Sequence, residues 1–498
     1  MLFAGVVSIF PQKKSDYSQR ELRYYPSPFF IPDDYSPKFM ETFYLIQKAN
    51  SGDPIAQHAL AIRYLLGDGV ENDTVKSVFW LRKAAGQDLP AAKYNLGIFE
   101  FNGWHTEWAP FSAFKHFLYA AESGMREAQL AIGILYTEDL IVRRNFPEAL
   151  KWLSKASLSG STHAAEKLEL LEKRGLIQID SAQKKVTLTN KLLGQQGRQA
   201  DKNEKALLQY IDFEADTIET PSDTMLFYDA IDECPGLDTL GINFTDLDQI
   251  KEKMPLIKTT LEKCALYGNP EALTLLGRIY ETGYLTQKNL IKAAYYYVKG
   301  VRVESPRSAF FLWRLVNSPV FMRQLTSLAG KKDPAALFIS ARLSLIGVTS
   351  IPDHARAAKL LQSAESESAD AAMELAFCYL QGKGVKEDYS EGINRLSVLA
   401  DKGMAEAAYW YALFSMSRGE YVPEKAIDPD TLEEAVFNGS LPALVVRGIM
   451  YRDGINRPAD FSKAADNFRR AASRGSASSY SLLKRLYDER RPDEDMFN

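Results

Sequence analysis

One stretch of the sequence, residues 54–86, reads PIAQHALAIRYLLGDGVENDTVKSVFWLRKAAG and has the design of a helix, a turn and a second helix. Small residues such as Ala56 let a neighbouring helix approach closely, while the larger apolar residues fill wider gaps. Gly67 and Gly69 supply the positive-φ conformations of a tight turn. Asp73 stands where the second helix needs an N-cap. The stretch therefore predicts a helical hairpin.

The same design recurs along the chain at a spacing of about 36 residues. We call the alanine at the position of Ala56 the anchor of each copy. The anchors are Ala56, Ala92, Ala128, Ala164, Ala272, Ala336, Ala371, Ala407, Ala443 and finally Ser479. The gap from Ala164 to Ala272 equals three periods, which predicts divergent repeats in the middle. The shorter step to Ala336 predicts a shortened helical pair at Ser308 to Ala329. Such a period is typical of stacked repeats.

The turn and the second helix carry a family resemblance. The shared pattern is Gly67-x-Gly69-Val70-x-x-Asp73-x-x-Lys76-Ser77-x-x-Trp80-x-x-Lys83-Ala84-Ala85, which recurs as Gly382-Lys383-Gly384-Val385-x-x-Asp388 and again as Gly454, Asp460, Lys463, Ala464, Ala471 and Ala472. It resembles the Sel-one-like repeat (SLR), a relative of the tetratricopeptide repeat. The resemblance implies an all-α fold, a right-handed α-α superhelix or solenoid of helix-turn-helix repeats. It also implies an adaptor that binds other proteins.

The same resemblance places the leading helix of each repeat on a concave wall, with residues two, six and nine after the anchor facing inward. In the first three repeats the candidate groove residues are His58, Ile62, Leu65, Tyr94, Ile98, Phe101, Leu130 and Ile134. These leading helices are apolar almost all round, so something must cover their free side. A partner helix or peptide could fill the groove. The alternative is the chain's own Pro-rich aromatic arm.

The breaks in the pattern define four segments. Residues 1–40 form a hydrophobic and aromatic Pro-rich arm, 41–174 the N-terminal repeats, 175–255 a divergent acidic insertion or degenerate repeats, and 256–498 the C-terminal repeats with a capping helix. Residues 204–250 hold twelve acidic residues and one basic residue, although the whole chain has a net charge of only −4. This acidic stretch is either a surface for a basic partner or a cation, or a solvated insertion balanced by the basic stretch before it.

The sequence offers no constellation for catalysis, cofactor binding or a metal site. The five histidines form no ligand pair at helical spacing. Cys234, Cys264 and Cys378 are too scattered for a disulfide framework or a zinc site, and we interpret them as buried thiols. Ser181-x-x-Lys184 and Ser481-x-x-Lys484 match a minimal penicillin-recognising motif without its companion elements. Basic residues are dispersed, which argues against nucleic-acid binding.

The sequence thus predicts a non-enzymatic scaffold that binds a protein or peptide on its concave face within a larger, bacterial assembly. One alternative is an envelope component that organises polysaccharide or peptidoglycan machinery, with Trp104 and Trp108 available for sugar stacking. A second is a weak β-lactam-binding member of the family. Met1 to Phe10 is apolar yet too short to span a bilayer, so export to the periplasm and a cytoplasmic location both stay open. Membrane association is compatible with this segment, and the sequence sets no oligomeric state.

Overall fold

The computed structural model describes residues 39–179, 223–238, 240–241, 247–284, 286–348, 351–417 and 428–497. Regular structure in these ranges is helical throughout and contains no strand, which confirms the all-α solenoid of paired helices. The chain divides into two compact units, residues 39–179 with 482–497, and residues 223–481. The aromatic arm and most of the acidic stretch lie outside the described residues. The division into four segments stays a prediction.

The helices follow one another as antiparallel pairs of about thirteen residues. The first unit contains α1 (Phe39–Asn50), α2 (Pro54–Leu66), α3 (Thr74–Ala85), α4 (Pro90–Asn102), α5 (Pro110–Glu122), α6 (Arg126–Glu138), α7 (Phe146–Leu158) and α8 (Thr162–Lys173). The second contains α9 (Asp223–Glu233), α10 (Pro235–Asp238), α11 (Leu247–Leu266), α12 (Pro270–Thr282), α13 (Leu290–Arg302), α14 (Pro306–Val316), α15 (Pro319–Gly330), α16 (Pro334–Ile346), α17 (His354–Ala364), α18 (Ala369–Gln381), α19 (Tyr389–Asp401), α20 (Ala405–Ser417), α21 (Pro429–Phe437), α22 (Leu441–Asp453) and α23 (Phe461–Ser473).

The C-terminal residues complete this list. Helix α24 (Ala477–Asp488) and a short 3₁₀ turn (Asp495–Phe497) end the described chain, and the residues from Leu482 onward belong to the first unit. The predicted shortened pair is confirmed as α14 and α15. In the described residues no helix is both long and apolar enough to cross a membrane.

In seven of the ten copies the anchor residue is fixed by an N-cap three residues before it. Its backbone N–H donates to a side-chain oxygen of the cap, which satisfies one of the open donors at the helix start. The caps seen are Asp53, Ser161, Asn269, Asp333, Ser368, Ser440 and Ser476. The periodic alanines are therefore the third residue of every such helix, and the period is held by hydrogen bonds as well as by packing.

The second helix of the repeats is capped in the same periodic way, 17 residues after the anchor. Asp73, predicted as an N-cap, accepts a hydrogen bond from the Lys76 N–H at 2.9 Å. The equivalent caps are Asn145, Asn289, Asp353, Asp388 and Asp460. Gly67 ends the first helix in the left-handed region, at a φ of 71°. The second helix thus has its N-cap at Asp73, six residues after Gly67.

In four repeats the two helices pack tightly at a glycine five residues after the anchor. A Cβ added at Gly97 would lie 2.7 Å from the ring of Phe117, and one at Gly277 would lie 2.2 Å from the ring of Tyr297. Gly133 and Gly448 meet Leu153 and Phe468 in the same way. All four large partners stand 25 residues after their anchors. A small residue facing a large one therefore sets the spacing inside these repeats.

We expect Gly277→Val to destabilise the second unit by about 1–3 kcal/mol, since the new side chain must displace the buried ring of Tyr297. Gly330→Ala is the matched control, because nothing lies within 4 Å of a Cβ at that helical glycine. Urea denaturation of the two variants beside the wild type measures the difference. Equal midpoints for Gly277→Val and Gly330→Ala would contradict this packing rule.

The cysteines correct one prediction. All three are buried as expected, but Cys234 and Cys264 form a disulfide and only Cys378 is a free thiol. The bonded pair joins the end of α9 to α11, and the two Cα atoms are 6.2 Å apart. The sequence interpretation was wrong because two cysteines 30 residues apart reveal their partnership only when their helices pack side by side.

Candidate interaction surfaces

The eight candidate groove residues all lie in the first unit and all are buried. Their exposed fractions run from 0% for Ile98 to 9% for Ile134. The other members are His58, Ile62, Leu65, Tyr94, Phe101 and Leu130. Other parts of the chain therefore already cover these eight side chains. Their contact with a partner stays a prediction.

His58 is the one polar member of this set, and it is held in its neutral form. Its exposed fraction is 1%, and Asn95 Nδ2 lies 2.9 Å from His58 Nε2. With the Asn95 amide as the donor, that ring nitrogen is an acceptor and carries no proton. Burial lowers the pKa of His58 to about 4, because a charged imidazole would lose its hydration there.

This histidine predicts a loss of stability in acid. The unfolded chain binds a proton at His58 below about pH 6.5 while the folded chain does not, so its contribution is complete above pH 6.5 and is lost as the pH falls toward 4. The slope from this one group reaches about 1.4 kcal/mol per pH unit in that window. Urea denaturation at pH 7, 6, 5 and 4.5 should show a shallower pH dependence for His58→Gln than for the wild type. Identical slopes would contradict the assignment.

In the second unit, the starts of two leading helices converge on one buried arginine. Arg302 ends α13 and donates to Glu406 through Nε at 2.8 Å and Nη2 at 2.7 Å. The same Nη2 lies 2.9 Å from Asp370, and Lys299 Nζ lies 3.2 Å from that carboxylate. The side chains of Arg302 and Glu406 are 2% and 1% exposed. Three cations and three carboxylates balance in this charge cluster, which we define as Lys299, Arg302, Arg342, Asp370, Glu374 and Glu406.

Four of the six charges in the cluster lie where a helix dipole favours them, since Lys299 shares the last turn of α13 with Arg302. Asp370 and Glu406 lie in the first turns of α18 and α20, and Arg302 lies in the last turn of α13. Burial alone would raise the pKa of Asp370, but Lys299 and Arg302 hold it below its usual range. The cluster joins repeats that are far apart in sequence and fixes the start of each leading helix it touches.

An aromatic cluster adjoins these charges, with one buried ring and two half-buried rings. It consists of Phe377 on α18 and of Trp410 and Phe414 on the next leading helix, α20. Trp410 and Phe414 place their ring centroids 5.3 and 5.9 Å from that of Phe377. The Trp410 indole N–H points to Glu406 Oε1 at 3.4 Å, and the cluster therefore sits beside a fixed carboxylate. Aromatic residues that also carry a polar group are enriched at protein-binding sites.

Sequence reasoning missed the charge cluster, although a signal was present. Asp370 and Glu406 are 36 residues apart, each directly before an anchor on a mostly apolar helix. Glu271 has the same position before Ala272 and is bonded to the buried Arg474 at 3.0 Å. An acid that repeats with the period at a buried position indicates a cation in another repeat.

The remaining candidates take ordinary structural positions. Trp104 is 36% exposed, whereas Trp108 is half-buried with its ring 5.3 Å from that of Tyr487. Ser481 donates to the Ala477 carbonyl and Lys484 binds Asp139, while Ser181 and Lys184 lie outside the described residues. Among the described residues no three His, Cys, Asp or Glu side chains are grouped to hold a metal ion.

The repeat unit itself matches a known repeat model. Six segments match the family model described as the Sel1 repeat, at residues 54–89, 90–125, 126–161, 270–302, 369–394 and 442–476. The chain carries six Sel1 repeats. Sel1 repeats mediate protein–protein interactions, and proteins built from them are generally non-catalytic scaffolds. Residues 334–364 lie outside the matched segments, yet Asp333, Gly347 and Asp353 give α16 and α17 the same caps and turn.

Three known proteins illustrate what this chain is similar to. The rat (Rattus norvegicus) protein described as DAP3-binding cell death enhancer 1 is 32% identical over 96 residues, which are 19% of this chain and 18% of the relative. The chain thus matches less than a fifth of that relative's length. The solved structure of c5321, a protective antigen of uropathogenic Escherichia coli strains with an SLR fold, has 21% identity over 91% of this chain and 83% of that one, with a TM-score of 0.30. A Sel1 repeat protein from Oxalobacter formigenes has 32% identity over 26% and 97%, with a TM-score of 0.25.

Proposed function

We propose that this Sel1-repeat chain is a non-enzymatic adaptor that holds a protein or peptide segment against its leading helices, with the aromatic cluster as the anchor. The observation that carries the proposal is the aromatic cluster on two consecutive leading helices, in which the half-buried rings of Trp410 and Phe414 pack on the buried Phe377. Helices and extended peptides bind repeat scaffolds by inserting a few apolar side chains into such places. Glu406, fixed by Arg302, adds a polar edge that orients the inserted segment.

The eight candidate groove residues of the first unit belong to the same proposal, but a partner would reach them in a different way. They are buried in the free chain, so a partner reaches them only by displacing their cover. The disulfide supports export as the location, because disulfides persist in oxidising compartments and are rare in the cytosol. An adaptor within a bacterial envelope assembly fits that location.

Affinity capture with full-length protein tests the aromatic cluster. Trp410→Ala/Phe414→Ala removes two anchor rings, and Trp313→Ala is the matched control because it removes a 61% exposed tryptophan on α14 of the same unit. We expect the wild type and the control to recover the same partners and the double variant to recover at most about a tenth as much, as the loss of a hot-spot aromatic implies. Circular dichroism confirms that each variant is folded. Equal recovery by the folded double variant would refute the proposal.

A further inference from the structure

The third repeat departs from the others at the turn between its helices. Seven repeats place a glycine in the left-handed region eleven residues after the anchor, namely Gly67, Gly103, Gly175, Gly283, Gly347, Gly382 and Gly454. The third has Asp139 there, at a φ of 58°. This conformation favours glycine, so the contacts of the aspartate side chain must offset the cost of adopting it. It accepts a hydrogen bond from Lys484 Nζ at 2.6 Å, and the Asp139 carbonyl accepts another from the same ammonium at 2.9 Å.

An arginine binds the next two residues of this turn. Arg491 donates to the carbonyl of Leu140 through Nη2 at 2.7 Å and to that of Ile141 through Nη1 at 2.6 Å. Leu140, Ile141 and Val142 are at most 1% exposed, although this is a turn between helices. A guanidinium that donates to two successive carbonyls gives direction as well as attachment, because its donors are fixed in a plane.

Six residues after Arg491, an aromatic side chain enters the neighbouring helix surface. Phe497 is fully buried, with its ring centroid 5.1 Å from that of Phe111 and 5.8 Å from that of Phe114 on α5. Its carbonyl also accepts a hydrogen bond from Arg491 Nη1 at 2.8 Å. Lys115 on the same helix pairs with Glu494 at 2.8 Å. The C-terminal segment is thus attached by an arginine, an aromatic ring and an ion pair.

We propose that the surface formed by α5 and the turn 139–142 is a second peptide-docking site, and that it takes a partner segment with an arginine followed six residues later by an aromatic residue. Residues 488–497 of the chain are its resident occupant, and a partner of the same chemistry binds by replacing them. This turn site is separate from the aromatic cluster, so neither proposal depends on the other. Attachment through a few side chains to carbonyls and rings already fixed by the repeats is how peptide ligands bind.

The test adds the resident segment back as a free peptide. Full-length Arg491→Ala/Phe497→Ala keeps the turn site intact and weakens its occupant. A fluorescein-labelled peptide of residues 488–498, DERRPDEDMFN, is titrated against it by fluorescence anisotropy. We expect saturable binding that is at least about tenfold tighter than binding to the wild type, whose site is filled by a tethered competitor. An Arg491→Ala peptide should bind about tenfold more weakly, and a Met496→Ala peptide, the control, should bind like the parent because Met496 is 39% exposed.

Equal binding to the wild type and the variant, or equal binding of the two alanine peptides, would overturn the proposal, as would no binding to the folded variant. Full-length Asp139→Gly provides a second route. Glycine suits the turn, as it does in seven other repeats, so this variant keeps the fold and loses the carboxylate that holds Lys484. We expect it to bind the labelled peptide more tightly than the wild type does and to lose its C-terminal segment sooner to limited proteolysis. Unchanged behaviour in both measurements would contradict the site.

Discussion

Replacing Arg302 with methionine is expected to destabilise the second unit by about 3–5 kcal/mol, because it leaves buried carboxylates without their cation. Arg302 is 2% exposed and supplies two hydrogen bonds to Glu406 and one to Asp370. Burying an unpaired carboxylate costs far more free energy than the packing of a methionine side chain restores. Chemical denaturation followed by circular dichroism measures the change.

The partners of the two carboxylates predict which second substitution restores stability. Asp370 keeps Lys299 at 3.2 Å and a hydrogen bond from Tyr295, whereas Glu406 keeps only the long contact from Trp410 among the bonds described above. Glu406→Gln should therefore restore more stability to Arg302→Met than Asp370→Asn does. The reverse order would contradict this account of the cluster.

A surface ion pair provides the control for Arg302. Arg485 pairs with Glu489 at 2.8 Å, and its side chain is 72% exposed. Exposed pairs contribute between zero and about 1 kcal/mol, so Arg485→Met should change the free energy of unfolding by less than that. A loss from Arg302→Met that is no larger than the loss from Arg485→Met would mean that the charge cluster is hydrated.

Removing the disulfide is the second change with a large expected effect. Cys234 and Cys264 close a loop with a sequence separation of 30 residues, and opening such a loop costs about 3–4 kcal/mol through the added freedom of the unfolded chain. Cys234→Ala/Cys264→Ala should lower stability by that amount, and a reductant should lower the wild type to about the same level. Denaturation with and without dithiothreitol measures both.

Cys378 makes this experiment specific. It is a buried free thiol, so Cys378→Ala reports the cost of losing a buried sulfur without losing a cross-link, and a reductant should still weaken that variant. Alkylation of unreduced, denatured protein should modify one of the three cysteines, and the modified residue should be Cys378. Modification of all three, or no effect of the reductant on the wild type, would contradict the disulfide.

The local architecture was predictable from sequence because it depends on residues close together in the chain. The period, the N-cap Asp73 and the glycine turn at Gly67 are each decided within one repeat, by hydrogen bonds across three residues or by the φ of one residue. The shortened pair at α14 and α15 follows from the same counting. These features need no knowledge of how distant repeats meet.

The parts that were missed depend on contacts between distant residues. Arg302 meets Glu406 across 104 residues, and Arg491 meets Leu140 across 351. No local pattern specifies such a pairing. In the pairing of Arg491 with Leu140, one end was marked by Asp139 in place of a glycine and by the apolar turn that follows Asp139. The cysteine pair was missed for the same reason. Departures from the repeat pattern were the useful signals, because each is disfavoured locally and is stabilised by a distant residue.

Site-specific photocrosslinking tests the central claim, that the leading-helix aromatic cluster binds a protein partner. A benzoylphenylalanine placed at Phe414 and another placed at Trp313 of the same unit are irradiated in a lysate of the native organism, and the adducts are resolved by mass. The account predicts a discrete adduct from position 414 that is absent from position 313 and is suppressed when unlabelled wild-type protein is added in excess. No adduct from position 414, or the same adducts from both positions, would contradict it.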